Sequence, residues 1–159
     1  MQEIKLEGKI SELCKIKFLR TNTFVLISLL SLGCFNFFLI IFQVKNFRGN
    51  LIYNTFAEQS AEITATLISG YIYMKTGPKI GFCSMYFVSL IGSVLLLYIM
   101  KNNHLRHLTP IVLMISKFGV SAAFNMSFIA SVQLIPTVFA ATVFGFCNVI
   151  ARLSTVLAP

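Results

Sequence analysis

The apolar residues of this chain come in blocks about as long as a bilayer is thick. Phe24 to Gln43, Leu51 to Met74, Ile80 to Met100, Thr109 to Ser131 and Val138 to Ala158 are five such stretches, each close to the ~20 residues a helix needs to cross a hydrocarbon core of roughly 30 Å. Short breaks rich in turn formers and charge separate them: Lys45 to Asn50, Lys75-Thr76-Gly77-Pro78-Lys79, Lys101 to His107 and Leu134-Ile135-Pro136-Thr137. Connections this short force consecutive helices to lie antiparallel as neighbours. Hydrophobic residues make up 57% of the 159-residue chain and charged ones 11%, against roughly 25% charged in a soluble domain. One soluble core of this size has no room for that much apolar surface. The expected fold is all-α and integral to the membrane, with about five antiparallel transmembrane helices over residues 23–159 and a cytosolic segment over 1–22. The lipid bilayer is its first partner.

Orientation follows from where lysine and arginine flank the spans. Lys5, Lys9, Lys15, Lys17 and Arg20 precede the first stretch, and Lys75 and Lys79 join the second to the third; Lys45, Arg48, Lys101 and Arg106 fall on the other side. The expectation is a multi-pass protein with a cytoplasmic N-terminus, in the plasma membrane or an internal one. The net charge of +8 is largely this topology signal, and no nucleic-acid partner is needed to explain it. The residues before Phe24 lack the pattern of a cleavable signal peptide, because charge continues to Arg20 and the apolar run that follows is too long.

Within the spans, a few polar residues stand where the bilayer penalises them. Lys117 and Arg152 each lie inside a long apolar stretch, and a cation at the bilayer centre costs roughly 2.5–3.5 kcal/mol on insertion scales. Glu58 and Glu62 are one helical turn apart in the second stretch, continued by Thr66, beside a stripe of Ala57, Ala61, Ala65 and Ser69. Small residues at that spacing let helices approach closely, and the polar stripe must face protein or water. Such acids either carry a proton, meet Lys117 or Arg152, or simply tie helices together. Lys117, Ser121 and Asn125 repeat the four-residue spacing, as do Asn148 and Arg152, and the first stretch adds Asn36 and Gln43 among phenylalanines. The candidate substrate path is therefore Arg152, Lys117, Glu62, Glu58, Asn36, Asn125 and Asn148.

Other signals are weak. Cys14, Cys34, Cys83 and Cys147 are scattered singly, and His104 and His107 share a short loop without further ligands, so no metal site is expected. Asn125-Met126-Ser127 matches a glycosylation acceptor but lies inside a span. The chain has no aspartate, no glycine-rich phosphate loop and no nucleophile elbow. An enzyme is not expected, nor a cofactor.

Several ordered segments resemble the organic cation and anion transporter branch of the major facilitator superfamily. Lys117-Phe118-Gly119 sits at that family's GKFG; Gln133-Leu134-Ile135-Pro136-Thr137-Val138 is similar to its E-L-x-P-T element; Ala151-Arg152-Leu153-Ser154 is similar to A-R-x-G, and Ala158-Pro159 follows. Upstream, Gly49 to Asn54 resembles the start of the eighth helix, with Glu62 to Ala65 at an E-x-P-A element, and Lys15 to Thr23 resembles the passage from the central loop into the seventh. The resemblance covers nearly the whole chain. It implies a carrier of small organic ions working by alternating access without a cofactor, in which residues 1–22 are central-loop-like and 23–159 form a transmembrane half-bundle matching helices seven to eleven.

Arg152 then falls where cation-carrying members tend to have aspartate and anion or carnitine-type members arginine, so the resemblance favours an anionic or zwitterionic substrate. The alternative is an ion pair between Arg152 and Glu62 or Glu58. Thr66 replaces the basic residue that anion members carry in helix eight. The cytoplasmic gate motif, G-x-x-x-D-R-x-G-R-R in the superfamily, is carried by Gly70, Lys75, Gly77 and Lys79, with Met74 and Pro78 replacing charged residues. Its counterpart retains Pro136 and Thr137, while Gln133 and Ala140 stand for glutamate and arginine. A weakened inner gate is the expectation. Because the resemblance covers one half of such a carrier, the chain is expected to act as a fragment or half that requires a complementary N-terminal half; the alternative is a transporter-derived membrane protein with a structural or regulatory role.

Overall fold

A computed structural model describes residues 17–46, 50–101 and 103–156; Lys5, Lys9, Cys14, Lys15, Arg48, Gly49, Ala158 and Pro159, named above, lie outside the described residues. The described residues are helical apart from Asn50, Ile135 and Pro136, with no strand among them. Helix α1 is Lys17–Gln43, so residues 17–22 form its first turns; α2 is Leu51–Lys101, α3 Thr109–Leu134 and α4 Thr137–Val156, with short 3-10 turns at Val44–Asn46 and Asn103–Leu108. The helices α1, α2 and α3 are long and apolar enough to cross a membrane, whereas the apolar part of α4, Thr137–Leu153, is shorter.

As a continuous rod, the 51 residues of α2 would extend ~76 Å at 1.5 Å per residue, more than twice the hydrocarbon thickness. The rod is broken at Gly77, whose φ of 76° and ψ of 168° are non-helical. A backbone in that region is essentially restricted to glycine. Pro78 then opens the next helix, where its missing N–H leaves no helical hydrogen bond unmade. The sequence predicts a connection from Lys75 to Lys79; the turn is made at one residue instead, because glycine followed by proline stops one helix and starts another without an intervening loop.

Contacts with α3 fix the path of the two arms. In arm 51–76, Glu58 meets Lys117, Thr66 meets Asn125, and Gly70 faces Ile129, so the arm runs parallel to α3. In arm 78–101, Gly81 faces Met126, Gly119 faces Met85 and Ser89, and Gly92 faces Ser116, which is the antiparallel order. The chain doubles back at Gly77, and α3 packs against both arms. Helix α1 runs antiparallel to α3, from Asn22, whose amide reaches the Leu134 carbonyl at 3.4 Å, to Phe37, which stacks on Phe124.

The closest packing lies between arm 78–101 and α3. A Cβ on Gly92 would sit 2.6 Å from the Ser116 backbone, and one on Gly119 would sit 2.6 Å from backbone atoms of Met85 and Ser89. Ser93 Oγ bonds Ser116 Oγ across the same seam at 3.0 Å. With no water to expel between helices in lipid, close backbone packing of this kind is what holds spans together. Outer faces are correspondingly apolar: Phe56, Leu67, Leu97 and Val149 are exposed.

Candidate functional site

Lys117 stands about a third of the way along α3, fully buried, where three helices meet. Its Nζ lies 2.9 Å from Glu58 Oε1 and 3.9 Å from Glu62 Oε2, both on arm 51–76, and 3.5 Å from the centre of the Phe37 ring on α1. Helical periodicity accounts for the cluster. Asn54, Glu58, Ala61, Ala65, Ser69 and Tyr73 form the buried stripe of their arm, and the small Ala61 and Ala65 allow α3 to come close enough for a lysine to reach across. The aromatic face offers the ammonium a third contact that requires no counter-charge.

The two acids differ in setting. Glu58 is 1% exposed, but the Glu62 side chain is 36% exposed and lines a cleft of about 260 Å³ with Gln59, Ile63, Thr66 and Leu67. Thr66 Oγ1 accepts from Asn125 Nδ2 at 3.0 Å. A polar track thus leads from the cleft through Glu62 to the buried Lys117–Glu58 pair. Asn54 and Ser121, one turn from Glu58 and Lys117 respectively, are buried with polar atoms that make no hydrogen bond among the described residues. The cluster carries two carboxylates and one ammonium, and is open on the side of the second carboxylate.

The remaining expected path residues do not join it. Asn36 Nδ2 donates to Leu32 O at 2.9 Å and Asn148 Nδ2 to Phe144 O at 3.0 Å, each on its own helix. Where water is scarce a side-chain amide or hydroxyl turns back to the carbonyl one turn earlier, as Ser28, Thr64, Ser127 and others also do. Arg152 is exposed on α4, within electrostatic reach of Cys34 on α1, and makes no ion pair among the described residues. The counter-charge for Glu58 and Glu62 is Lys117. Phe37 was not singled out by the sequence, since it is one of several phenylalanines in α1 and only its place opposite Lys117 distinguishes it. The Gly92–Gly119 seam was also missed, although Ser89, Gly92 and Ser93 against Ser116, Gly119 and Ala123 show small residues at helical spacing.

The gate-motif residues gather at one end of the bundle. Gly70 faces Ile129 in the parallel register, which sets Met74 at the level of Gln133 one turn on. Lys75 rests over the Tyr71 ring at 5.7 Å, Gly77 makes the hairpin, and Lys79 is exposed. Gln133 and Thr137 are exposed and Pro136 half-buried at the α3–α4 junction.

Comparison with known proteins finds transporters of similar sequence. Solute carrier family 22 member 21 of Mus musculus is 26% identical over 144 residues, covering 91% of this chain and 25% of the relative. Organic cation/carnitine transporter 2 of Homo sapiens is 27% identical over 123 residues, covering 77% of this chain and 22% of the relative. The chain is a relative of the solute carrier family 22 transporters. Solute carrier family 22 member 16 of Homo sapiens is 26% identical over 129 residues, 81% of this chain and 22% of its own. The chain thus spans about a quarter of the length of the solute carrier 22 relatives it matches. No family model matches the chain, and no solved structure matches it. These relatives are transporters and not enzymes, in keeping with the non-enzymatic expectation.

Proposed function

We propose that these helices form part of an alternating-access carrier for small organic ions, with the cleft at Glu62 and the Lys117–Glu58 pair on the substrate path. The observation that carries this reading is the burial of Lys117 between two acids, one closed off and one facing a cleft. An intramembrane charge held only for structure needs one partner; here a second, accessible carboxylate stands within 3.9 Å of the same ammonium. An ion entering the cleft meets Glu62 first and competes with Lys117 for it, which links ligand binding to the contact between arm 51–76 and α3.

The relatives include organic cation/carnitine transporters, and a carnitine-like zwitterion suits the mixed charge of the site: its ammonium towards Glu62, its carboxylate towards a cation. Arg152, exposed and free of any acid among the described residues, is available for that second role on the surface facing a complementary half. In this reading the described helices correspond to helices seven to eleven, the N-terminus is cytoplasmic, and the end bearing Met74 and Gln133 is a loosened inner gate.

The test is uptake of labelled carnitine, tetraethylammonium and an aryl carboxylate into cells producing the chain together with the N-terminal six-helix half of a carnitine transporter. Uptake that is favoured for carnitine and lost in Glu62→Gln and Arg152→Ala at unchanged protein level supports the reading. Uptake indifferent to both substitutions, or absent with every substrate, overturns it in favour of a transporter-derived protein that does not transport.

A further inference from the structure

A groove of about 460 Å³ runs between the end of α1 and arm 78–101, lined by Leu39, Ile40, Gln43, Leu96, Leu97 and Met100, with Ser93 and Ser116 at its floor. It shares no residue with the Glu62 cleft, which is lined by arm 51–76. The floor hydroxyls bond each other, and Ser93 also donates to the Ser89 carbonyl at 2.9 Å, so the floor makes no demand for a polar ligand. The walls are aliphatic. Apart from the paired hydroxyls, the polar residue of the lining is Gln43, at the mouth.

Two cations flank that mouth. Lys45 is two residues beyond Gln43, Lys101 immediately follows Met100, and both are exposed. The acids among the described residues, Glu58 and Glu62, both lie on arm 51–76 and are engaged with Lys117. Nothing described at this end neutralises the lysines. Next to the groove, Leu90 and Val94 present an exposed aliphatic face of the kind that meets acyl chains. Lysines at a helix end extend to the interface, where their ammonium groups meet lipid phosphates.

We propose that this groove is a binding site for an anionic phospholipid, with one acyl chain lying along Leu39, Leu96 and Leu97 and the headgroup phosphate held between Lys45 and Lys101 beside Gln43. An aliphatic trough that ends at a paired positive charge matches an amphiphile with a single negative head. A neutral lipid fills the trough equally well but gains nothing from the lysines.

The chain contains no tryptophan, so one introduced by Met100→Trp or by Leu97→Trp is the sole indole and reports from the groove lining, with Leu90→Trp as a control outside it. Each full-length variant is reconstituted in phosphatidylcholine vesicles containing an equal fraction of dibrominated phosphatidylglycerol or dibrominated phosphatidylcholine. The groove reporters are expected to be quenched at least about twofold more by the brominated anionic lipid, since basic residues near the surface favour anionic headgroups. The control is expected to be quenched equally by both, and Lys45→Gln with Lys101→Gln to remove the preference. Equal quenching of the groove reporters by the two lipids overturns the proposal. So does a preference that survives loss of both lysines, or an absence of quenching that shows protein covering the groove.

Discussion

The Lys117 ammonium lies 2.9 Å from the Glu58 carboxylate, and both side chains are all but removed from solvent. Each charge is tolerable only because the other is there. Removing one member of a buried pair costs about 3–5 kcal/mol, because the survivor remains buried and unpaired. Lys117→Met is therefore expected to lower stability by that order, and the double variant Lys117→Met with Glu58→Gln by clearly less. Unfolding of the purified chain in detergent against increasing denaturing detergent measures both.

Phe37 holds the same ammonium from the third side, 3.5 Å from ring centre to Nζ. Phe37→Leu keeps an apolar side chain but loses the ring face, and a desolvated cation–π contact is worth about 2 kcal/mol. The loss is expected to vanish when Phe37→Leu is made in a Lys117→Met background. A double-mutant cycle in the same unfolding assay gives the coupling.

Gly92 and Gly119 set the distance between arm 78–101 and α3. An added Cβ at either would stand 2.6 Å from backbone atoms that have no rotamer by which to yield, whereas Gly145 has nothing within 4 Å of the same position. Gly92→Ala and Gly119→Ala are expected to cost about 1–3 kcal/mol each, in line with overpacking of a filled interface. Gly145→Ala should be close to neutral under the same measurement.

Gly77 makes the hairpin within α2 at a φ of 76°. Gly77→Ala forces an L side chain into that region at a cost of about 1–3 kcal/mol. Limited proteolysis at the exposed Lys75 and Lys79 is expected to quicken in the variant, with cleavage elsewhere unchanged.

Much of this was readable in advance, for a physical reason in each case. The helical stretches were visible because a bilayer imposes their length, and Glu58, Glu62 and Lys117 because charge within such a stretch is costly. The Gly77–Pro78 break was visible as a turn, though not that it would be a single residue. Asn36 and Asn148 stand apart from the Lys117 cluster because a polar residue on a helical face has two outlets, a neighbouring helix or its own backbone, and spacing alone does not choose between them. Arg152 stands apart from the acids for a similar reason: periodicity puts a residue on a face but does not say which helix lies opposite. Phe37 and the Gly92–Gly119 seam depend on such pairings, which only the packed structure supplies.

The account rests on the cleft at Glu62 being a wet, ion-accepting path instead of a dent filled by lipid. Thr66→Cys and Gln59→Cys, each placed in a chain whose four native cysteines are replaced by alanine, test this through the rate of reaction with a charged, water-soluble methanethiosulfonate in membranes, with Val94→Cys on the aliphatic outer face for comparison. Rapid labelling at residues 59 and 66, slowed by carnitine, with little labelling at residue 94 is the predicted result. Labelling at 59 and 66 no faster than at 94 would contradict it.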